Sequence, residues 1–138
     1  MLYVVATPIG NLEDITLRAL RILKEADLIL CEDTRVTGKL LQKYSVATKM
    51  AVFHANTAGG KIDAYLKLLE EDKNVALVTD AGTPGISDPG VLLVMKAREH
   101  GFPVNVIPGP SALTAAISGA GMPMHEFIFL GFLPQKKG

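Results

Sequence analysis

Five short aliphatic runs, Leu2 to Ala6, Leu28 to Glu32, Met50 to Phe53, Val75 to Thr79 and Val104 to Ile107, alternate along the chain with longer segments whose apolar residues recur at helical spacing. The runs are nearly continuous rather than alternately apolar and polar. That pattern predicts strands buried on both faces, as in a parallel sheet between two layers of helices. Thr16 to Ala26 sets Leu17, Leu20 and Leu23, with Ile22 beside them, on one side and Arg18, Arg21, Lys24 and Glu25 largely on the other, with Thr16 or Asp14 available as its cap. Arg35 to Tyr44, Lys61 to Asp72, Gly90 to His100 and Ser111 to Ala120 complete a βαβαβαβαβα order. The predicted class is α/β, with a five-stranded, mainly parallel sheet flanked by helices. Right-handed crossovers would gather every strand-to-helix loop at the carboxyl edge of the sheet, where proteins of this class bind ligands.

A length of 138 residues is one domain's worth of chain; such a domain buries roughly 68% of its unfolded surface. With 49% hydrophobic and 20% charged residues the composition excludes disorder over most of the length. Fourteen basic and fourteen acidic residues cancel, so the chain as a whole carries no field to concentrate nucleic acid or anionic lipid. Cys31, the single cysteine, cannot form an intramolecular disulfide, and His54, His100 and His125 are too dispersed for a local metal cluster. We therefore expect no metal site and a reducing, cytoplasmic setting. Met1-Leu2-Tyr3 leads straight into Val4-Val5-Ala6, unlike a secretory signal. Gly101 to Met124 is uncharged and long enough to span a bilayer, but its four prolines and four glycines predict strand, turn and helix, and no membrane partner is expected. Phe127 to Leu133 is a further apolar run ahead of a polar tail, Pro134 to Gly138.

The chemistry concentrates in four loops at the predicted edge. The first, Thr7-Pro8-Ile9-Gly10-Asn11-Leu12-Glu13-Asp14, is turn-rich but carries neither the glycine spacing of a dinucleotide fingerprint nor the Lys of a phosphate cradle. In the second, Glu32-Asp33-Thr34-Arg35, the charged side chains could position an amine or hydroxyl; equally, Asp33 or Thr34 could cap a helix with Arg35 paired to a neighbour. The third, Asp80-Ala81-Gly82-Thr83-Pro84-Gly85-Ile86-Ser87-Asp88-Pro89-Gly90, is the most unusual. Three glycines and two prolines make it rigid and nearly free of side chains, so a ligand could touch its backbone directly. Helix capping by Asp88 with Pro89 at the first helical position accounts for its end and leaves Asp80 to Ser87 unexplained. In the fourth, Pro108-Gly109-Pro110-Ser111-Ala112, Ser111 fits a cap as well as a ligand contact.

Charge separates the ligand classes. Glu13, Asp14, Glu32, Asp33, Asp80 and Asp88 face the lone cation of Arg35 across these loops. A phosphate-rich cofactor would call for the reverse balance. A cofactor with a positive centre, held by backbone and carboxylates, suits the edge, and S-adenosylmethionine is the natural candidate.

The four loops together resemble the ribosomal RNA small subunit methyltransferase I family, which is similar in fold to the tetrapyrrole (corrin and porphyrin) methylases. The resemblance covers essentially the whole chain and implies an S-adenosylmethionine-dependent enzyme that methylates the ribose 2′-hydroxyl of a cytidine in the 16S rRNA of the small ribosomal subunit. It also implies a cofactor cleft between two α/β domains, with residues 1–126 as the N-terminal methylase domain, and residues 127–138 as its last strand and the start of a linker to a second domain. The RNA-binding surface would then lie on that other part, and the isolated chain would have little or no activity. Carried over by position, Asp80, Ala81, Gly82, Thr83, Pro84, Gly85, Ile86 and Ser87 would wrap the cofactor, Pro108, Gly109, Ser111 and Ala112 would border it, and Pro8, Gly10 and Asn11 would contribute from the first loop, with Gly10 and Asn11 facing the substrate; Arg35 could contact an RNA phosphate or pair with a loop carboxylate. Where corrin methylases tend to carry Gly-x-Gly-Asp and Gly-Asp-Pro, this chain has Ile9-Gly10-Asn11 and Gly82-Thr83-Pro84, which counts against a tetrapyrrole substrate.

Methylation of a hydroxyl needs its oxygen aligned and its proton removed. Asp80, at the tip of a central strand, is the first candidate base, followed by Asp33 and Glu32. A homodimer is expected, and two alternatives stay open: a non-catalytic binding or dimerisation module, and a tetrapyrrole methylase.

Overall fold

The computed structural model describes residues 1–54 and 59–132. Strands β1 (Leu2–Val5), β2 (Leu28–Cys31), β3 (Met50–Val52), β4 (Val75–Leu77) and β5 (Val104–Ile107) form one sheet in the order β3-β2-β4-β1-β5. Every pairing is parallel, with Leu2 of β1 opposite Val75 of β4 on one side and opposite Val104 of β5 on the other. Helices α1 (Leu17–Glu25), α2 (Thr34–Lys43), α3 (Gly59–Glu70), α4 (Gly90–Glu99) and α5 (Ala112–Gly119) follow the strands in turn. The class and the alternating element order expected from the sequence are both present.

The continuous apolar runs are explained by two cores. Val5, Ile29, Cys31, Ala76, Val78 and Ile107 pack with α1 and α2 on one face of the sheet. Their neighbours Leu2, Leu30, Val75 and Leu77 pack with Ile62, Leu66 and Leu69 of α3 and Leu93 and Ala97 of α4 on the other. Successive side chains of a strand point to opposite faces, so both parities must be apolar when both faces are covered. Helix starts are fixed locally. The Thr16 hydroxyl accepts from the Ala19 N–H at 3.0 Å, and the Asp33 carboxylate accepts from the Arg35 N–H at 2.8 Å.

Three expectations change. Ala6, Glu32, Phe53, Val78 and Thr79 lie just past their strands, where the chain turns into the edge loops. Leu17 is 86% exposed, and Ala19 takes the inward place beside Ile22 and Leu23; Leu17 opens the helix, before the stripe has turned toward the sheet. Phe127 to Phe132 forms no strand and pairs with neither edge strand, β3 or β5, and Phe127, Ile128, Leu130 and Phe132 stay exposed. Leu133 to Gly138, read as the start of a linker, lie outside the described residues. No helix of the described residues is long and apolar enough to cross a membrane.

Candidate active site

The three central strands, β2, β4 and β1, release their loops side by side, and hydrogen bonds tie these together. Thr7, two residues past β1, exchanges backbone bonds with Gly82: its N–H donates to the Gly82 carbonyl at 2.9 Å and its own carbonyl accepts from the Gly82 N–H at 3.1 Å. The buried Thr7 hydroxyl donates to the Thr79 carbonyl at 2.9 Å. The Thr79 hydroxyl in turn donates to Glu32 Oε1, and the Asp33 N–H donates to Asp80 Oδ1 at 3.1 Å. Two depressions flank this seam.

Side chains build the first. Glu32, Asp33, Arg35 and Asp80, with Thr34, Val52 and His54, line an open depression of about 440 Å³. The Arg35 guanidinium grips the Asp33 carboxylate through Nε at 3.0 and 3.1 Å and through Nη2 at 2.6 Å. Those bonds, with the backbone N–H of Arg35, hold the Asp33 carboxyl down from 3.8 to about 2 and push Arg35 up. Of the three candidate bases, Asp33 is therefore committed to an ion pair and a helix cap, Glu32 accepts from a buried threonine, and Asp80 accepts the Asp33 N–H through Oδ1. Arg35, 87% exposed at its side chain, spends its charge on Asp33.

A glycine-shaped loop and apolar side chains build the second. Ala81, Gly82, Thr83, Ile86, Ser87, Ser111 and Ala112 converge with Ile9, Leu113, Phe129 and Phe132 around about 360 Å³. Gly82 and Gly85 take φ of +87° and +89°, a region that L side chains avoid. The Asp88 carboxylate turns back on the loop, accepting from the N–H groups of Gly85 at 2.5 Å, Ile86 at 3.1 Å and Gly90 at 2.7 Å. It thereby holds the inside of the loop as well as the helix entrance. The Thr83 hydroxyl reaches the Pro110 carbonyl at 3.5 Å and joins the third loop to the fourth.

The remaining expected residues line neither depression. Asn11 Oδ1 accepts from the Glu13 N–H at 3.0 Å and caps a short 3-10 turn, Leu12–Asp14. Pro8 borders a gap of about 40 Å³ beside Asp80, and Gly109 lines a hollow on the far side of Ser111. Gly10, Pro84, Gly85 and Pro108 shape the loops without lining these walls. Thr7, Thr79, Val52, His54, Phe129 and Phe132 enter the site unforeseen; the available signal was a threonine just past each of two central strands. Among the described residues no group of three or more His, Cys, Asp or Glu side chains could hold a metal. Burial pushes the Cys31 thiol up, away from nucleophilic use.

A parallel sheet crossed in both directions, with a loop-built cleft at its carboxyl edge, defines a doubly wound α/β ligand-binding domain. The chain belongs to the tetrapyrrole (corrin/porphyrin) methylases, whose family model matches residues 1–134. It is similar to the ribosomal RNA small subunit methyltransferase I of Thermotoga maritima, 52% identical over 136 residues that cover 99% of this chain and 61% of that protein. The protein of the same name from Escherichia coli O157:H7 is 50% identical over 98% of this chain and 47% of its own length. The chain thus spans about half the length of curated relatives it matches. Among solved structures it is similar to the uroporphyrin-III-C-methyltransferase of Thermus thermophilus, with a TM-score of 0.66, 27% identity, and coverage of 88% of this chain and 53% of that one. A cobalt precorrin-4 methyltransferase gives a TM-score of 0.65 at 25% identity, covering 86% of this chain and 49% of that one.

Proposed function

We propose that this chain supplies one wall of the cofactor cleft of an S-adenosylmethionine-dependent methyltransferase, acting in the cytoplasm on the ribose 2′-hydroxyl of a cytidine in the 16S rRNA of the small ribosomal subunit. The observation that carries the reading is the pairing of the two depressions at one sheet edge, one walled by a glycine-shaped loop and apolar side chains and the other by carboxylates. The residues fit the cofactor. A depression of about 360 Å³ falls in the range of small-molecule sites, its loop takes at Gly82 and Gly85 a backbone conformation that L side chains avoid, and nearby carboxylates suit a sulfonium and an ammonium.

When bound, S-adenosylmethionine supplies an electrophilic methyl group. This chain's part is to position and deprotonate. The Asp33 N–H fixes Asp80 through Oδ1, leaving Oδ2 to accept the proton of the substrate hydroxyl. Asp33 is the weaker base, because Arg35 stabilises its anion. The second wall and most of the RNA contact belong to a further domain, consistent with coverage of about half of the relatives' length. The exposed Phe127, Ile128, Leu130 and Phe132 then pack against that domain or across a homodimer.

Incubating the full-length protein with labelled S-adenosylmethionine and small-subunit particles should place label on a cytidine 2′-oxygen. Label transferred to a tetrapyrrole, with none on RNA, would overturn the substrate. Failure of calorimetric titration to detect S-adenosylmethionine would overturn the cofactor.

A further inference from the structure

The two depressions share a single seam, the run Thr79-Asp80-Ala81-Gly82, whose residues face one side or the other. Asp80 serves the carboxylate depression, whereas Ala81 and Gly82 serve the loop-built one. The separation of the two therefore depends on what holds this run, and its supports come from both neighbouring strands. From the β1 side, Thr7 fixes Gly82 through two backbone bonds and fixes Thr79 through its hydroxyl, which also lies 3.4 Å from the Gly82 carbonyl. From the β2 side, Glu32 receives the Thr79 hydroxyl and Asp33 donates to Asp80. Thr7 and Thr79 are only 3% and 8% exposed. Neither lines the two depressions, and no buried side-chain oxygen or nitrogen among the described residues lacks a hydrogen-bond partner.

We propose that Thr7 and Thr79 are positioning residues whose hydroxyls form a rigid clamp across the three central loops, setting the distance between the candidate base and the cofactor-facing backbone. The role rests on the functional reading given above. A methyl group in place of either hydroxyl preserves shape but leaves an acceptor unsatisfied, the Thr79 carbonyl in one case and the Glu32 carboxylate in the other. The loops then keep their packing and lose their register, which in-line transfer tolerates poorly.

The test uses Thr7→Val, Thr7→Ser, Thr79→Val and Thr79→Ser in the full-length protein. Both valine variants should lower kcat by about tenfold or more, with KM for RNA changing less than threefold, and amide exchange at Ala81 and Gly82 should accelerate by about tenfold. Both serine variants, which keep the hydroxyl, should recover most of the loss. Valine variants with wild-type kcat and unaltered exchange would overturn the clamp, as would serine variants as impaired as the valines. Amide exchange is read without substrate, so it judges the clamp even if wild-type protein does not methylate RNA, an outcome that would overturn the functional reading instead.

Discussion

The two depressions differ in what makes them. The one around Asp80 is a set of polar side chains with named partners, whereas the one beyond Gly82 is a loop surface with apolar side chains around it, its loop shaped by glycines and by the Asp88 carboxylate. A side-chain site can lose one function and keep its shape. A backbone site has no single functional group to delete, and it fails through conformation. Substitutions on the two sides of the seam should therefore separate turnover from binding.

The largest effect is expected from Asp80→Asn. The amide keeps the size of the side chain and can still accept from the Asp33 N–H, but it cannot take a proton. Turnover of the full-length enzyme should fall by about 10²- to 10⁴-fold, the range of general-base contributions. Cofactor affinity measured by calorimetry should stay within about threefold. Equal losses in both would erase the distinction between the depressions.

Gly82→Val attacks the other side. A β-branched residue at φ +87° is strained, and its Cβ would sit 3.6 Å from Ile9 Cγ2. A cost of about 1–3 kcal/mol should appear as a loss of S-adenosylmethionine affinity of about ten- to a hundredfold, with any residual turnover retaining its pH profile. Asp88→Ala should act the same way and more weakly. It frees the Gly85, Ile86 and Gly90 N–H groups at a partly exposed site, so affinity should fall by only several-fold.

This contrast was partly legible in the sequence. Glycine and proline spacing in Asp80 to Gly90 marked a backbone-built loop, because the conformations glycine permits are a local property. The caps at Thr16 and Asp33 were legible for the same reason. The strand order β3-β2-β4-β1-β5 was not, since parallel pairing joins residues far apart in sequence, as when Leu2 meets both Val75 and Val104. Thr7 and Thr79 were missed because a threonine at a strand end is an ordinary β-former, and its role appears only once β1 and β4 lie side by side. The run from Phe127 misled for the converse reason: apolar residues alone predict a strand, but an apolar run can equally stay outside the sheet as an exposed apolar face.

The smallest effect concerns Asp33, and it tests whether the carboxylate depression divides its labour as described. With its carboxyl held at about 2, below 3.8, by Arg35, Asp33 binds protons less readily folded than unfolded. Its contribution to stability is then complete above the unfolded value and is lost as pH falls from about 4 through about 2. Arg35→Gln removes the guanidinium while leaving the backbone N–H that the carboxylate caps, so the Asp33 midpoint should rise toward 3.8 and the acid limb of unfolding should shift upward with it. Carboxyl carbon shifts followed by NMR across that range measure the change directly. A midpoint still near 2 in the variant would mean that helix capping alone holds the anion. Arg35 would then be released from the structural role given to it and available to a substrate phosphate.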